Sequence, residues 1–310
     1  MFHSFGLTGG TLVPLLQGIR SFYYPSPLHY RMIPVTAYDI NATIFFATDT
    51  FLSRYARLAH PYDFYATRYV FAGAEKLQPE TRQGWIERFG IQVLEAYGTT
   101  ETAPALSINT RMYNKIGSVG RFLPAIHHRL KPVEGIPLGG QLLVKGPNVM
   151  LGYINQETGR IIPTGSDLRE SEGDMREGWY DTGDIVNVDE QGFVTILGRV
   201  KRFAKIGGEM ISLVAIEDHI NARWPENKHV LLAFPDTRKG EQLVLLTTGT
   251  ITRDEIASYL KTQGFTELNF PKQIFYTDHI PLLATGKVDF QSSKKLAEGF
   301  MGGGSETDKV

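Results

Sequence analysis

The sequence predicts an α/β protein: a parallel sheet comes first, a β-rich segment follows, and a compact piece of mixed helices and strands ends the chain. Three observations support this class. A strand–helix–strand pattern spans residues 68–95, short β-like runs separated by glycines occupy residues 117–198, and helical and strand patterns alternate after Arg199. At 310 residues the chain can bury a substantial core, and we expect it to form two units.

The strand–helix–strand pattern is the clearest local topology in the chain. Arg68–Ala72 is a short apolar strand, and a helix then begins at Pro79, where the missing N–H of proline is harmless in the first turn. The helix ends at Gly90, and Ile91–Leu94 forms the next strand. Two strands joined through a helix are parallel, and their connection is right-handed.

The segment Glu95–Glu101 follows the second of these strands and reads Glu-Ala-Tyr-Gly-Thr-Thr-Glu. Ligands bind beyond the carboxyl ends of such strands, and Gly73–Glu75 occupies the same edge of the sheet. An aromatic face, a flexible glycine, two hydroxyls and two carboxylates are the groups needed to hold a base, a phosphate and a metal ion. By itself, the pattern also fits a packed strand tyrosine at Tyr97 and a solvated loop carboxylate at Glu101.

The middle of the chain predicts a small, barrel-like β subdomain, because short β-like runs alternate with glycines. These runs are Gln141–Lys145, Asp184–Val188 and Phe193–Leu197.

The last third predicts a compact α+β domain. Ser212 can cap a helix that runs to Arg223, and Thr252–Glu255 is a capping box that opens a second helix. Residues 299–310 are rich in glycine and include the polar run 305–309, so we expect them to be disordered.

Composition and charge exclude several classes of function. The 32 basic and 33 acidic residues give a net charge of −1, which offers no electrostatic basis for binding nucleic acid. The sequence has no cysteine, which excludes disulfides, thiolate metal sites and a cysteine nucleophile. No apolar run approaches the roughly 20 residues that span a bilayer, and the N-terminus lacks the pattern of a signal peptide. We therefore expect the chain by itself to be cytoplasmic.

Four segments in one order carry a family resemblance. They are Tyr97–Glu101 (Tyr-Gly-Thr-Thr-Glu), Gly178–Asp184 (Gly-Trp-Tyr-Asp-Thr-Gly-Asp), Gly198–Lys205 (Gly-Arg-Val-Lys-Arg-Phe-Ala-Lys) and Pro281–Lys287 (Pro-Leu-Leu-Ala-Thr-Gly-Lys). In this order and spacing the chain resembles the ANL superfamily of AMP-forming enzymes, which includes acyl-CoA synthetases, adenylation domains and luciferases. One such motif is weak, whereas four ordered motifs are specific.

A finer resemblance is to the synthetase domain of bacterial bifunctional 2-acylglycerophosphoethanolamine acyltransferase/acyl-[acyl-carrier-protein] synthetases. It is carried by Phe2–Thr8, Tyr24–Tyr30, Gly73–Leu77 and Lys201–Met210.

The resemblance implies a division of the chain into parts of a larger enzyme. The expected parts are an α/β portion of a large parallel-sheet N-terminal domain (1–116), a β subdomain (117–199), a small mobile α+β C-terminal domain (200–298) and a disordered tail (299–310).

The resemblance also implies a nucleotide site that binds ATP or AMP with Mg²⁺. Tyr97 matches the tyrosine that stacks on adenine, and Asp184 matches the aspartate that accepts both ribose hydroxyls, since each carboxylate oxygen can accept one O–H. Thr100 matches the contact to the α-phosphate, and Glu101 matches the carboxylate that binds Mg²⁺. The remaining residues that the resemblance places at the nucleotide are Gly73, Ala74, Glu75, Gly98, Thr99 and Arg199.

Lys287 matches the family's catalytic lysine. Its ammonium stabilises the negative charge that gathers when a carboxylate attacks the α-phosphate. Lys201 occupies the hinge position, where many members carry aspartate, and the C-terminal domain rotates about this hinge between two half-reactions. His3, Gly207 and Gly208 match residues near the acyl and thiol tunnel.

The resemblance implies the reaction of a fatty acid with ATP to give acyl-AMP and pyrophosphate, followed by acyl transfer to a thiol. The thiol belongs to acyl carrier protein or, as the main alternative, to coenzyme A; a silent nucleotide- or carrier-binding module is the alternative from another class. The local cluster Lys201, Arg202 and Lys205 is a possible carrier-docking surface, although such clusters are usually only solvated. The resemblance also implies that the intact protein contains an acyltransferase domain. It further implies that the intact protein lies at the cytoplasmic face of the bacterial inner membrane.

Superfamily members carry a Ser/Thr/Gly-rich loop ending in lysine that cradles the β- and γ-phosphates, upstream of the segment starting at Phe2. This sequence has no such segment. We therefore expect the chain to be an incomplete fragment that holds AMP well and the triphosphate of ATP poorly.

Overall fold

The computed structural model describes residues 3–165, 178–283 and 288–302. The chain divides into two compact units, the first formed by Met1–Lys131 and Gly139–Leu197 and the second by Pro132–Leu138 and Gly198–Val310. Within the described residues, no helix is long and apolar enough to cross a membrane. The tail prediction does not hold for residues 299–302, which belong to the helix Phe290–Gly302, and residues 303–310 lie outside the described part.

The first unit contains helices on a mixed sheet, half of whose strand pairings are parallel. Its helices are α1 (Ser4–Leu7), α2 (Val13–Leu16), α3 (Met32–Asp39), α4 (Asp49–Leu58) and α5 (Pro79–Phe89), with a π-helical turn at Thr8–Leu12. The strands of this sheet are β1 (Ile44–Ala47), β2 (Tyr69–Ala72), β3 (Val93–Gly98), β4 (Ala105–Ile108) and β5 (Arg121–Phe122).

The five strands lie in the order β1-β2-β3-β4-β5, with β1, β2 and β3 parallel and the last two antiparallel. The β2–α5–β3 unit therefore confirms the strand–helix–strand prediction, including a helix that begins at Pro79 and ends at a left-handed Gly90 (φ 67°). Strand β3 differs from the prediction, because it runs on through Gly98. It continues because its last three residues pair with β4 after its first three have paired with β2.

Aromatic packing stabilises this unit. Trp85 on α5 is fully buried, its ring centroid lies 4.7 Å from that of Phe64, and its Nε1 donates to the carbonyl of Leu52 on α4 at 3.0 Å. Truncating a side chain buried in this way costs about 3–5 kcal/mol. The helix–sheet core thus fixes the position of the sheet edge at which β2 and β3 end.

A second sheet belongs to the same unit, except for the last two residues of its final strand, which fall in the second unit. Its strands are β6 (His127–Lys131), β7 (Gly140–Lys145), β10 (Tyr180–Val188) and β11 (Val194–Arg199), and a separate hairpin pairs β8 (Gly152–Ile154) with β9 (Ile161–Pro163).

The order β11-β10-β7-β6 is an open sheet, so the described strands do not close into the barrel-like form that the sequence predicted. Four strands are fewer than the roughly five of the smallest closed barrels, and β6 pairs only with β7. The inner face packs instead as an apolar layer that includes Leu142, Val144 and Val186.

The second unit is an α+β fold. Its strands are β12 (Phe203–Ile206), β13 (Glu209–Ser212), β14 (His229–Asp236), β15 (Gly240–Thr247) and β16 (Gln273–Tyr276), and its helices are α6 (Leu213–Arg223), α7 (Arg253–Thr262) and α8 (Phe290–Gly302).

The strand order is β13-β12-β15-β14, with β16 parallel to β15. Alternate residues of β14 and β15 point to opposite faces, so one face packs on α6 and α7 and the other on α8. Both predicted caps are confirmed: Ser212 accepts from the amide of Ala215 at 3.2 Å, and Thr252 with Glu255 forms a capping box.

Candidate functional site

The candidate site of the first unit lies where β2 and β3 end. Ala72 is in register with Glu95, so the residues after β2 and the end of β3 occupy the same edge of the sheet. Parallel strands place ligands at this edge. The structure thus brings Gly73–Glu75 and the Tyr97–Glu101 segment to one side of the unit.

The turn after β2 is tightly constrained. A Cβ on Gly73 would lie 3.2 Å from the ring of Phe5, and Ala74 adopts a left-handed conformation with φ 68°. The Glu75 carboxylate accepts from the backbone amide of Thr50, at the start of α4, at 2.9 Å. Glu75 therefore ties its own loop to helix α4 in this structure.

The segment after β3 forms a closed turn. A Cβ on Gly98 would lie 1.6 Å from the carbonyl oxygen of Pro104, so only glycine fits there. The amide of Thr99 donates to Oγ1 of Thr102 at 3.0 Å, and the amide of Thr102 donates to the carbonyl of Thr99 at 3.1 Å. Thr102 is fully buried, which anchors the turn and leaves Thr100 exposed.

Tyr97 and Asp184 meet in the interior although 87 positions separate them. The Tyr97 hydroxyl donates to Oδ2 of Asp184 at 2.6 Å, a distance typical of a charge-assisted hydrogen bond. Asp184 is 2% exposed and Tyr97 is 8% exposed. Two residues that the sequence assigned to the adenosine are therefore in direct contact.

Asp184 lies in an irregular part of β10 and not in a surface turn. The pairing of β10 with β7 shifts register between Asp181 and Ile185, and Gly183 has φ 67°. The amide of Asp184 donates to Oγ1 of Thr182 at 3.1 Å. Because of this bulge, the side chain of Asp184 points in a direction that a regular strand would not give it.

Glu101 is surrounded by hydroxyl groups. The Tyr153 hydroxyl, on β8, donates to its Oε1 at 2.9 Å, and Tyr180 and Thr99 also hydrogen-bond to the carboxylate. Partial burial by itself raises the pKa of Glu101, but hydrogen bonds from its own backbone amide and from these hydroxyls outweigh it. The pKa of Glu101 therefore lies below its usual range.

Sequence reasoning missed both tyrosines. Tyr180 lies inside the Gly178–Asp184 motif, so its position offered a signal, whereas nothing in the sequence distinguishes Tyr153. Burial and the nearby charge of Glu101 raise the pKa of the Tyr180 hydroxyl well above its ordinary value, so it stays a neutral hydrogen-bonding group.

The residues present fit a single-carboxylate magnesium site. Among the residues that the structure describes, no group of three or more His, Cys, Asp or Glu side chains could hold a metal ion. Mg²⁺ is commonly bound through one or two carboxylates together with water and substrate phosphates. Glu101, anionic and partly exposed on the turn after β3, is a suitable donor.

Four predicted site residues lie in the second unit. Arg199 is exposed at the end of β11, and Lys201 is exposed in the 3₁₀ turn Val200–Arg202. Gly207 and Gly208 form the turn between β12 and β13 with φ 60° and 90°, a region that favours glycine. Their functional assignments stay predictions.

Lys287 lies outside the described residues. The segment that contains it is flanked by an antiparallel bridge between Leu282 and Val288, and the amide of Asp289 donates to the carbonyl of Pro281 at 2.9 Å. The catalytic assignment of Lys287 stays a prediction.

The basic cluster Lys201, Arg202 and Lys205 does not form one solvated surface. Arg202 is 8% exposed and donates from Nη2 to Glu217 at 2.6 Å and from Nη1 to the carbonyl of Leu231 at 2.7 Å. Lys205 pairs with Glu134 at 2.8 Å. The hint of a carrier-docking surface in this cluster is therefore not supported by its geometry.

His3 has a local structural role. Its Nδ1 accepts from the backbone amide of Phe5 at 3.2 Å and caps the short helix α1. Its predicted place near an acyl tunnel stays a prediction.

Comparisons with known proteins show what the chain is similar to. Residues 1–154 match the family model described as AMP-binding enzyme. The mitochondrial medium-chain acyl-CoA ligase ACSF2 of Rattus norvegicus is 27% identical over 305 residues, which cover 93% of this chain and 48% of that protein. The oxalate–CoA ligase of Arabidopsis thaliana is 29% identical over 307 residues, which cover 93% of this chain and 56% of that protein. The crystal structure of ATP-bound MatB from Rhodopseudomonas palustris aligns with a TM-score of 0.79 at 26% identity, over 96% of this chain and 59% of that one.

Residues 1–154 are therefore similar to the AMP-binding enzyme family, and over nearly its whole length the chain is similar to CoA ligases. The relatives are CoA ligases by name, so the finer resemblance to a bifunctional acyl-carrier-protein synthetase stays a prediction. The chain spans about half the length of the curated relatives it matches.

Proposed function

We propose that the chain is part of an AMP-forming acid–thiol ligase and that its first unit holds the adenosine monophosphate of an acyl-adenylate. The buried contact between Tyr97 and Asp184 carries this proposal, because it unites two residues assigned to the adenosine from separate motifs. The relation to CoA ligases and to a protein solved with ATP supports the same function.

The reaction has two steps. A carboxylate oxygen of the acid attacks the α-phosphorus of ATP and pyrophosphate leaves; a thiolate then attacks the acyl carbon and AMP leaves. Asp184 accepts hydrogen bonds from the ribose, and the ring of Tyr97, whose hydroxyl is bonded to Asp184, stacks on adenine as the resemblance implies. Thr100 is exposed on the turn beside Glu101, where it can donate to the α-phosphate.

Glu101 would hold Mg²⁺, which neutralises phosphate charge when bound. The hydroxyls of Tyr153 and Tyr180 orient this carboxylate, and the turn that begins at Thr99 fixes its backbone. Lys287 would stabilise the charge that develops on the α-phosphate, as the family resemblance implies.

We propose a fatty acid as the acid and coenzyme A as the acceptor thiol. The name of the rat relative indicates a medium-chain acyl group, although the Arabidopsis relative acts by its name on oxalate. Acyl carrier protein remains the alternative acceptor on the strength of the finer sequence resemblance. An acyltransferase partner and a place at the inner membrane in phospholipid recycling depend on that resemblance alone.

The test supplies the intermediate directly. We expect the chain to bind AMP in a calorimeter and to convert decanoyl-AMP or palmitoyl-AMP to a thioester, detected by mass spectrometry, when CoA or holo-acyl carrier protein is added. Oxalyl-AMP serves as the comparison substrate. The acceptor that reacts faster identifies the thiol.

Asp184→Asn should weaken AMP binding by tenfold or more, about 1.4 kcal/mol, because the carboxylate charge on the ribose acceptor is lost. Asp189→Asn is the matched control directly after β10, where Asp189 pairs with Lys115. Absence of AMP binding by the unmodified chain would refute the proposal. AMP binding without any thioester formation would favour a silent binding module.

A further inference from the structure

We propose that Tyr97 is a positioning residue that sets the ribose specificity of the site by fixing the carboxylate of Asp184. This inference rests on the proposed function, and it adds a role for the phenol hydroxyl to the role expected for the ring. The site would recognise the intact vicinal diol of a ribonucleotide and discriminate against deoxynucleotides.

The ring of Tyr97 is held firmly. It packs in an apolar cluster with Leu106, Leu142 and Val194, and only 8% of the residue is exposed. A packed ring leaves its hydroxyl little freedom to move. The 2.6 Å hydrogen bond to Oδ2 of Asp184 therefore holds the carboxylate in a fixed position relative to strand β3.

The backbone of Asp184 is fixed independently of Tyr97. Its amide donates to Oγ1 of Thr182, and that hydroxyl donates in turn to the carbonyl of Leu142 on the neighbouring strand at 2.9 Å. Rotation of the carboxylate about its own side-chain bonds is then the main freedom left. The hydroxyl of Tyr97 restricts that rotation.

Recognition of a diol depends on this orientation. A carboxylate has about four lone-pair sites, and the hydroxyl of Tyr97 occupies one on Oδ2. The two ribose hydroxyls need one acceptor site on each oxygen, facing the same way. Because Asp184 is 2% exposed, water competes weakly for those sites, so each correctly aimed hydrogen bond contributes strongly.

The test compares three ligands by calorimetry on the full chain: AMP, 2′-deoxy-AMP and 3′-deoxy-AMP. We expect the unmodified chain to bind AMP at least about tenfold more tightly than either deoxynucleotide, since each lacks one hydrogen bond to a charged acceptor. In Tyr97→Phe this preference should fall to about threefold or less. The fall should come mostly from weaker AMP binding.

Tyr55→Phe is the matched control. Tyr55 is also a buried tyrosine of the first unit, 2% exposed, and its hydroxyl donates to the carbonyl of Pro27 at 2.8 Å. This variant loses one buried hydrogen bond, as Tyr97→Phe does, but should keep the full preference for AMP. Thermal unfolding of both variants reports their stability.

Each outcome decides a different point. If the unmodified chain binds no AMP, the proposed function fails; if it binds AMP and Tyr97→Phe keeps the preference, the positioning role fails. Equal weakening of all three ligands in Tyr97→Phe also overturns it, because the hydroxyl would then contribute to binding without distinguishing the diol. If Tyr97→Phe does not fold, Asp184→Asn replaces it: a retained preference for AMP in that variant contradicts the inference, and its loss supports a charged Asp184 as the diol acceptor.

Discussion

Replacing Arg202 with methionine should destabilise the second unit severely. Arg202 lies beside Lys201 and enters the interior, where its guanidinium bonds Glu217 at 2.6 Å and the carbonyl of Leu231 at 2.7 Å and lies 4.1 Å from the ring centroid of Phe290. The side chains of Arg202 and Glu217 are 10% and 15% exposed. Removing the arginine leaves the carboxylate of Glu217 buried without its cation.

Loss of one partner from a buried ion pair costs about 3–5 kcal/mol. Every 1.4 kcal/mol is a factor of ten, so amide exchange in β14 should accelerate by roughly 10² to several times 10³, up to the limit set by the stability of the unit itself. Hydrogen–deuterium exchange with mass spectrometry on peptides from His229–Asp236 measures this directly and reports on the second unit alone.

Two further variants make the test decisive. Arg202→Met combined with Glu217→Met removes both charges and should restore at least half of the lost protection, because a buried pair can be replaced by apolar groups of similar size at small cost. Lys205→Met breaks the exposed pair with Glu134, whose side chain is 76% exposed, and should leave exchange unchanged. Acceleration of less than about tenfold in Arg202→Met would refute the reasoning.

Three other changes test separate features. Tyr153→Phe removes a donor to Glu101, so the pKa of that carboxyl should rise toward its ordinary value in an NMR titration of carboxyl-labelled protein; an unchanged pKa would contradict the contact. Burial lowers the pKa of His229, so its contribution to stability should be fully present above the unfolded pKa of 6.5 and be lost as the pH falls toward and through the folded pKa; denaturant midpoints between pH 7.5 and 5.5 measure this, and His229→Asn should flatten the profile. Gly98→Ala places a methyl group against the carbonyl of Pro104, so AMP binding should be lost while the second unit keeps its exchange protection; normal AMP affinity would disprove the steric argument.

Local signals predicted much of the fold. Proline and glycine at the two ends of α5, and the hydroxyl caps of α6 and α7, act within a few residues, and the structure confirms all of them. The contact between Tyr97 and Asp184 could be expected only from the family resemblance, which assigns both residues to the same nucleoside although they are distant in the sequence.

Features that depend on contacts between distant parts of the chain could not be predicted from the sequence. The sequence of β3 does not show that it continues past Leu94, because the continuation depends on β4 as a partner. Arg202 looked like one of three solvated cations, and only the fold reveals Glu217 beside it. Tyr153 reaches Glu101 from a hairpin whose sequence carries no catalytic pattern.

The turn from Thr100 to Ala105 is held largely through its own carbonyl oxygens. The amide of Met150 donates to the carbonyl of Glu101 at 2.8 Å, and the side-chain amide of Asn148 donates to the carbonyls of Thr102 and Ala105 at 2.6 and 2.8 Å. Such bonds do not depend on which side chains the turn carries. A directed-evolution library that varies the exposed positions of this turn, while keeping Asn148, should therefore retain the shape of the loop.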